Sequence, residues 1–358
     1  MFVVDAHQDI AYNAVCFGRD YRQAALKKRQ LEVGSDIPAQ NGFATLGLPE
    51  AIAGRVAVVF ATLFVAPRSK RDAPWKNVMY DDVSGAYRLA MQQMDYYQRL
   101  TDEDARLRLV RTGEDLDAVL ATWDKDHSVK ERQQGLVVLM ENADPITEPR
   151  QFEEWYERGV RVVGPAWQAT RYTAGTGAPG GLTPLGRELL DVMGSFGALL
   201  DLSHMAEAAF LEALDQYEGS VIASHSNPRR FCDTDRHLTE AMIRRLAERD
   251  GVMGVVMYNA FLRTGWKKAD GKAELTLSDV LNVIDHVCQI TGSAAHVGIG
   301  SDFDGGFGFE SVPAEIDTVA DVWQIRDGLL RRGYSEDDTA AILGGNMLRK
   351  LRMALPAR

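Results

Sequence analysis

Cysteine is scarce in this chain. Cys16, Cys232 and Cys288 are its only three, far apart and in no Cys-x-x-Cys pair, which excludes a disulfide framework and a thiolate zinc site. Long apolar runs are also missing. The longest, Val56 to Val65 and Val252 to Met257, fall far short of the ~20 residues that a membrane-spanning helix needs. No charged start leads into an apolar segment, so the chain is expected to be cytoplasmic and away from membranes. Positive charge is in deficit, with Lys+Arg 40 against Asp+Glu 51, a net charge of -11 and a pI near 5.2. That balance excludes a nucleic-acid or anionic-membrane surface and leaves small molecules as the expected partners. The basic runs Lys27-Lys28-Arg29 and Arg229-Arg230 are short and read as solvated surface.

What is present is an ordinary globular composition, 46% hydrophobic and 25% charged, with enough apolar residues for a sizeable core. Short apolar runs recur at Phe2 to Val4, Val56 to Phe64, Leu136 to Met140, Val160 to Val163, Ala198 to Leu202, Val221 to Ala223, Val252 to Val256 and Val297 to Ile299. Amphipathic patterns separate them, at Ser84 to Leu100, Arg187 to Gly194, Glu207 to Gln216, Thr239 to Arg249 and Leu277 to Thr291. Thr183, Thr239 and Ser278 are the expected N-caps, and Gly194, Gly251 and Gly292 the expected stops. Buried strands alternating with helices predict a parallel sheet. Eight repeats predict one α/β domain over residues 1–358, a closed (β/α)8 TIM-type barrel. Arg19 to Leu48 and Thr170 to Leu185 break the repeat as long loop insertions, either surface excursions or the walls of a site.

Polar residues sit at the ends of these runs. Asp5-Ala6-His7-Gln8-Asp9 follows the first, Glu141 ends the third, His204 follows Leu199 to Ser203, His225 follows Val221 to Ser224, and Asp302 follows Val297 to Ser301. Residues two apart on a strand share a side, so His7 and Asp9 can face one ion. Strand C-termini converge in a barrel, which gathers three imidazoles and three carboxylates. One divalent cation needs fewer, so a two-metal site is the economical reading, with Glu141 as the bridge and Asp302 as proton acceptor and donor. His127, His237, His286 and His296 lack such a context and read as non-ligands. Tyr258 follows the Val252 to Met257 run and either lines the pocket or belongs to the core.

These segments, with Ser224-His225-Ser226, Gly300-Ser301-Asp302-Phe303-Asp304-Gly305 and Gly345-Asn346-Met347-Leu348-Arg349, resemble the membrane (renal) dipeptidase family of two-zinc metallopeptidases over nearly the full length. The resemblance implies one zinc on His7, Asp9 and Glu141 and a second on Glu141, His204 and His225. It implies Asp302 as the acid/base, Arg236 as the receiver of the substrate's terminal carboxylate, and hydroxide held between the metals as nucleophile. It further implies hydrolysis of dipeptides, tolerance of a C-terminal D-residue, and a homodimer. Two positions depart from the family pattern. Trp167 stands where animal members carry a histidine that contacts the substrate carbonyl, and His237 stands where asparagine is common. Related two-metal amidohydrolases acting on other amides or lactams, and a catalytically weakened ligand-binding relative, stay open on these residues.

Overall fold

Each of the eight predicted runs forms a strand because it is apolar and covered on both faces. In the computed structural model, which describes residues 1–69, 75–124 and 127–357, the strands are β1 (Val3–Gln8), β2 (Val56–Leu63), β3 (Leu107–Leu109), β4 (Gln134–Met140), β5 (Val160–Val163), β6 (Leu199–Asp201), β7 (Val221–Ala223), β8 (Val252–Val255) and β9 (Val297–Ile299). All pair in parallel. The ring runs β1, β2, β4, β5, β6, β7, β8, β9 and closes where Asp5 meets Ile299. This is the expected (β/α)8 barrel.

The ninth strand, β3, was not anticipated. It shares one edge of β4 with β5: Leu107 to Leu109 pair with Gln134 to Leu136, and Val160 to Val163 pair with Val138 to Met140 further along. β1 extends past Val4 to Gln8 and carries buried polar side chains, which it can do because Asp5 is fully hydrogen-bonded. Gly254 of β8 and Gly300 just after β9 let the strands close. A Cβ on either would stand 1.9 or 1.8 Å from the Ser224 carbonyl oxygen.

Helices fall where periodicity places them, including Val83–Glu103, Pro184–Ser195, Glu207–Gln216, Glu240–Glu248 and Leu277–Thr291. Thr183 and Thr239 cap their helices through side-chain oxygens. Ser278 does not. The helix Leu277–Thr291 is entered two residues earlier, at Thr276, whose backbone N–H donates to Asp279 Oδ2 at 2.8 Å, because Leu277 is already packed in the core. Gly292 ends that helix with φ 70°, whereas Gly194 lies within its helix and Gly251 two residues beyond the Arg249 C-cap.

Both insertions are structured. Residues 19–48 fold into short helices, and residues 173–182 form a two-stranded ribbon with Thr173 opposite Leu182. Lys28, expected on the surface, is buried, and its ammonium donates to the Leu46 carbonyl at 2.9 Å. The three cysteines are free thiols, and no helix among the described residues is long and apolar enough to cross a membrane.

Candidate metal centre

The C-terminal ends of β1, β4, β6, β7 and β9 bring six of the predicted residues together. His7, Asp9 and Glu141 form one cluster of donor atoms, all within 4.8 Å of one another, and Glu141, His204 and His225 form another. The two oxygens of Glu141 face different ways. Oε2 lies 3.8 Å from His7 Nε2, whereas Oε1 lies 3.4 Å from His204 Nε2 and 3.7 Å from His225 Nε2. His7 Nε2 is also 3.6 Å from Asp9 Oδ2 and 3.8 Å from Asp302 Oδ1.

Neighbouring hydroxyls fix how the imidazoles point. Ser224 Oγ donates its one proton to Asp201 Oδ2 at 2.5 Å, so toward His225 Nδ1, at 2.8 Å, it acts as acceptor. His225 therefore carries its proton on Nδ1 and turns the Nε2 lone pair inward. Thr176 Oγ1 stands 3.1 Å from His204 Nδ1, in the same relation. Asp201 is itself held by the backbone N–H groups of Ser203 and Ser224. Asp5 holds the strand beneath His7, accepting from the Ser301 N–H and hydroxyl and from the Gln8 amide, which ties β1 to the strand end that presents Asp302.

These donors fit divalent cations. His7 Nε2 is buried without a hydrogen-bond partner. His204 Nε2 and His225 Nε2 approach to 3.1 Å, both beside a carboxylate oxygen, an arrangement in which lone pairs repel unless a cation lies among them. Burial pushes both imidazoles well below the usual histidine range, aided by the Arg236 charge, so they stay neutral and ligating. Burial pushes Glu141 well up, with Asp9 and Asp302 adding to it against the pull of His7. Burial likewise raises Asp302 to about 7, against the pull of His7 and with the Asp9 carboxylate beside it. At His7, burial works downward, but the facing Glu141 and Asp9 carboxylates outweigh it and hold the ring at about 9. A set of imidazole nitrogens and carboxylate oxygens suits zinc and also manganese or cobalt.

Two of the residues arrive in strained backbone: His204 has φ 65° and Asp302 φ 59°, with Asp304 at φ 61°. Asp304 accepts from the Thr45 N–H and hydroxyl, anchoring the first insertion beside the site. The ribbon supplies Thr176, and its Gly177 N–H donates to Asp235 next to Arg236.

Above the centre lies a cavity of about 310 Å³ whose lining includes Asp9, Glu141, His204, Asp302, Arg236 and Trp167. Arg236 is 7% exposed; its Nη2 donates to the His225 carbonyl at 2.7 Å, and among the described residues no carboxylate pairs with it. Tyr258 is not part of the lining. Its ring stacks on Phe307, with centroids 4.4 Å apart, and packs edge-on against Phe261. His127, His237, His286 and His296 stand outside the clusters. His237 packs edge-on against Phe261, 4.6 Å away.

Sequence reading missed Asp201 and Ser224 as supports of His225, and Tyr12, Phe64 and Trp75 as cavity wall. The signal for the first was available: an aspartate interrupts an otherwise apolar strand just ahead of a histidine in both Asp5-Ala6-His7 and Asp201-Leu202-Ser203-His204.

Comparison with known proteins agrees with this geometry. The chain is 31% identical over 245 residues to an uncharacterized protein in the pqqA 5' region of Klebsiella pneumoniae, an alignment covering 65% of this chain and 87% of that one. It is 31% identical over 202 residues to the dipeptidase aclJ of Aspergillus oryzae, covering 55% of this chain but 46% of the relative, so it matches about half of that longer protein. The fold superposes, with TM-score 0.79 and 22% identity over 99% of both chains, on a metallo peptidase from Rhodobacter sphaeroides liganded with a phosphinate mimic of the dipeptide L-Ala-D-Ala. Residues 1–356 match the membrane dipeptidase profile, and the chain belongs to the membrane dipeptidase family, peptidase family M19, whose members are metallopeptidases acting on dipeptides.

Proposed function

We propose that this protein hydrolyses the peptide bond of dipeptides with a free C-terminus, using two divalent cations, zinc foremost, that share Glu141. The observation that carries the reading is the pairing of one carboxylate between two ligand clusters with a buried, unpaired guanidinium on the same cavity wall. His7, Asp9 and Glu141 would hold one ion and Glu141, His204 and His225 the other. When bound, such a pair supplies Lewis acidity toward the scissile carbonyl and lowers the pKa of water toward neutrality.

The chain's own residues do the rest. Arg236 receives the terminal carboxylate with its planar fork, an interaction that orients the substrate and excludes longer peptides at that end. Asp302, raised to about 7, takes the proton of the attacking water and returns it to the departing amine, a task best done by a group whose pKa lies near the working pH. Trp167 offers one N–H donor and no charge where a family histidine contacts the carbonyl, so less of the stabilisation of the tetrahedral intermediate falls to this side chain. Acceptance of a D-residue at the second position is supported by the family resemblance and by the L-Ala-D-Ala mimic carried by the Rhodobacter sphaeroides relative.

The test is hydrolysis of L-Xaa-L-Xaa and L-Xaa-D-Xaa dipeptides by purified protein, with metal per chain determined on the same sample. Turnover with two metals per chain is expected. Two metals without turnover on any dipeptide would overturn the reading and move the search to other small amides.

A further inference from the structure

The cavity has two unlike ends. Arg236 and Phe261 follow β7 and β8, whereas Phe64 follows β2, which stands across the eight-membered ring from β7. Phe64, Trp75 and Trp167 meet there as a corner of three rings. Phe64 and Trp75 are at 86°, Phe64 and Trp167 at 71°, and Trp75 and Trp167 at 82°, with centroids 6.2, 5.1 and 5.4 Å apart. Tyr12, also in the cavity wall, packs edge-on against Phe64 at 89° and is itself fixed by a hydrogen bond from its hydroxyl to Asn41 Oδ1 at 2.9 Å. Edge-to-face contacts of this kind lock each ring against its neighbours and leave the open faces as a rigid apolar surface.

The corner borders the metal centre directly, since the Trp167 ring lies 6.3 Å from that of His204. A dipeptide with its carboxylate on Arg236 and its carbonyl over Glu141 lays its first side chain against these rings. The carboxylates in the lining, Asp9, Glu141 and Asp302, belong to the metal centre, so a cationic first side chain would find aromatic faces but no free counter-charge there. The geometry points to Phe64, Trp75 and Trp167 as determinants of specificity, and to dipeptides with a large apolar or aromatic first residue as the substrate class. This inference rests on the dipeptidase reading above.

The experiment compares kcat/KM for Gly-Ala, Leu-Ala, Phe-Ala and Lys-Ala in the metal-loaded protein and in Trp167→Ala and Trp75→Ala variants. Phe-Ala and Leu-Ala should exceed Gly-Ala by about tenfold or more, the scale on which apolar pockets discriminate, and that ratio should fall toward one in both variants. Should Trp167→Ala fail to fold, Trp75→Ala at the half-buried rim carries the comparison. A flat ratio in the parent protein, a ratio untouched by both substitutions, or a preference for Lys-Ala over Phe-Ala would each overturn the inference. Calorimetric binding of the same dipeptides to metal-stripped protein separates the two levels. No turnover with tighter binding of Phe-Ala than Gly-Ala would remove the dipeptidase reading and keep the apolar corner. No turnover with equal binding would remove both.

Discussion

Replacing Asp201 by asparagine should damage metal binding without touching a ligand. Asp201 Oδ1 accepts two backbone N–H bonds, which hold that oxygen in place. In Asp201→Asn the amide nitrogen then faces Ser224 Oγ and donates to it. The hydroxyl proton swings to His225 Nδ1, and the imidazole must carry its own proton on Nε2, where the lone pair is needed. Restoring the ligating tautomer makes Ser224 Oγ accept from both groups and leaves its own proton without an acceptor in a fully buried spot, at a cost of about 1–3 kcal/mol. That corresponds to roughly a 10–100-fold loss of affinity at the His204/His225 cluster, the range typical of groups that orient metal-bound histidines. Competition against a chelator of known affinity measures it, and nitrogen chemical shifts of His225 report the tautomer. Affinity within twofold of the parent protein, with His225 still protonated on Nδ1, would refute the reasoning. Ser224→Ala, which leaves His225 Nδ1–H without an acceptor, should weaken the same cluster.

Further outcomes are expected. Asp302→Asn should retain its metals and lose about 10²–10⁴-fold in kcat, as loss of a general acid/base does; full turnover would reassign the proton carrier. Arg236→Ala should raise KM for dipeptides at least tenfold and matter less for amides lacking the carboxylate, so equal losses on both would disprove its role. Gly254→Ala forces a Cβ into the Ser224 carbonyl and should destabilise the barrel by about 1–3 kcal/mol or more, read as a lower melting temperature. In protein stripped of metal by chelation, His7 is held at about 9 against an ordinary 6.5. Its contribution to stability is therefore complete below pH 6.5 and lost as pH rises through 9. Melting temperature should fall across that window in the stripped protein, and the His7 ring followed by NMR should lose its proton over the same interval; a ring titrating at its ordinary 6.5 would refute the assignment.

The barrel was legible in the sequence because its strands are covered on both faces and so read as recurrent, mostly apolar runs. The candidate ligands were legible because five of the eight runs stop at residues able to bind metal. β3 was not, since Leu107-Arg108-Leu109 is three residues long and its partly exposed arginine breaks the run. The ribbon of residues 173–182 hid behind its glycines. Lys28 misled because a charge run gives no sign that one ammonium finds a buried carbonyl. Tyr258 follows a strand as the ligands do, but its ring is drawn to Phe307. The aromatic corner could not be read at all: Phe64, Trp75 and Trp167 come from distant segments and meet only when the ring closes.

The left-handed backbone at His204 and Asp302 gives this enzyme a particular vulnerability. A side chain with a Cβ is ill at ease there, at a cost of roughly 1–2 kcal/mol per residue that glycine escapes. Substitution toward glycine at either position would relax the chain while deleting a donor to the second cluster or the group proposed to carry the proton. Backbone strain and chemistry thus pull against each other at these two positions. A library screened for heat resistance alone will enrich inactive descendants at these two positions, and selection for turnover must accompany every round to keep them.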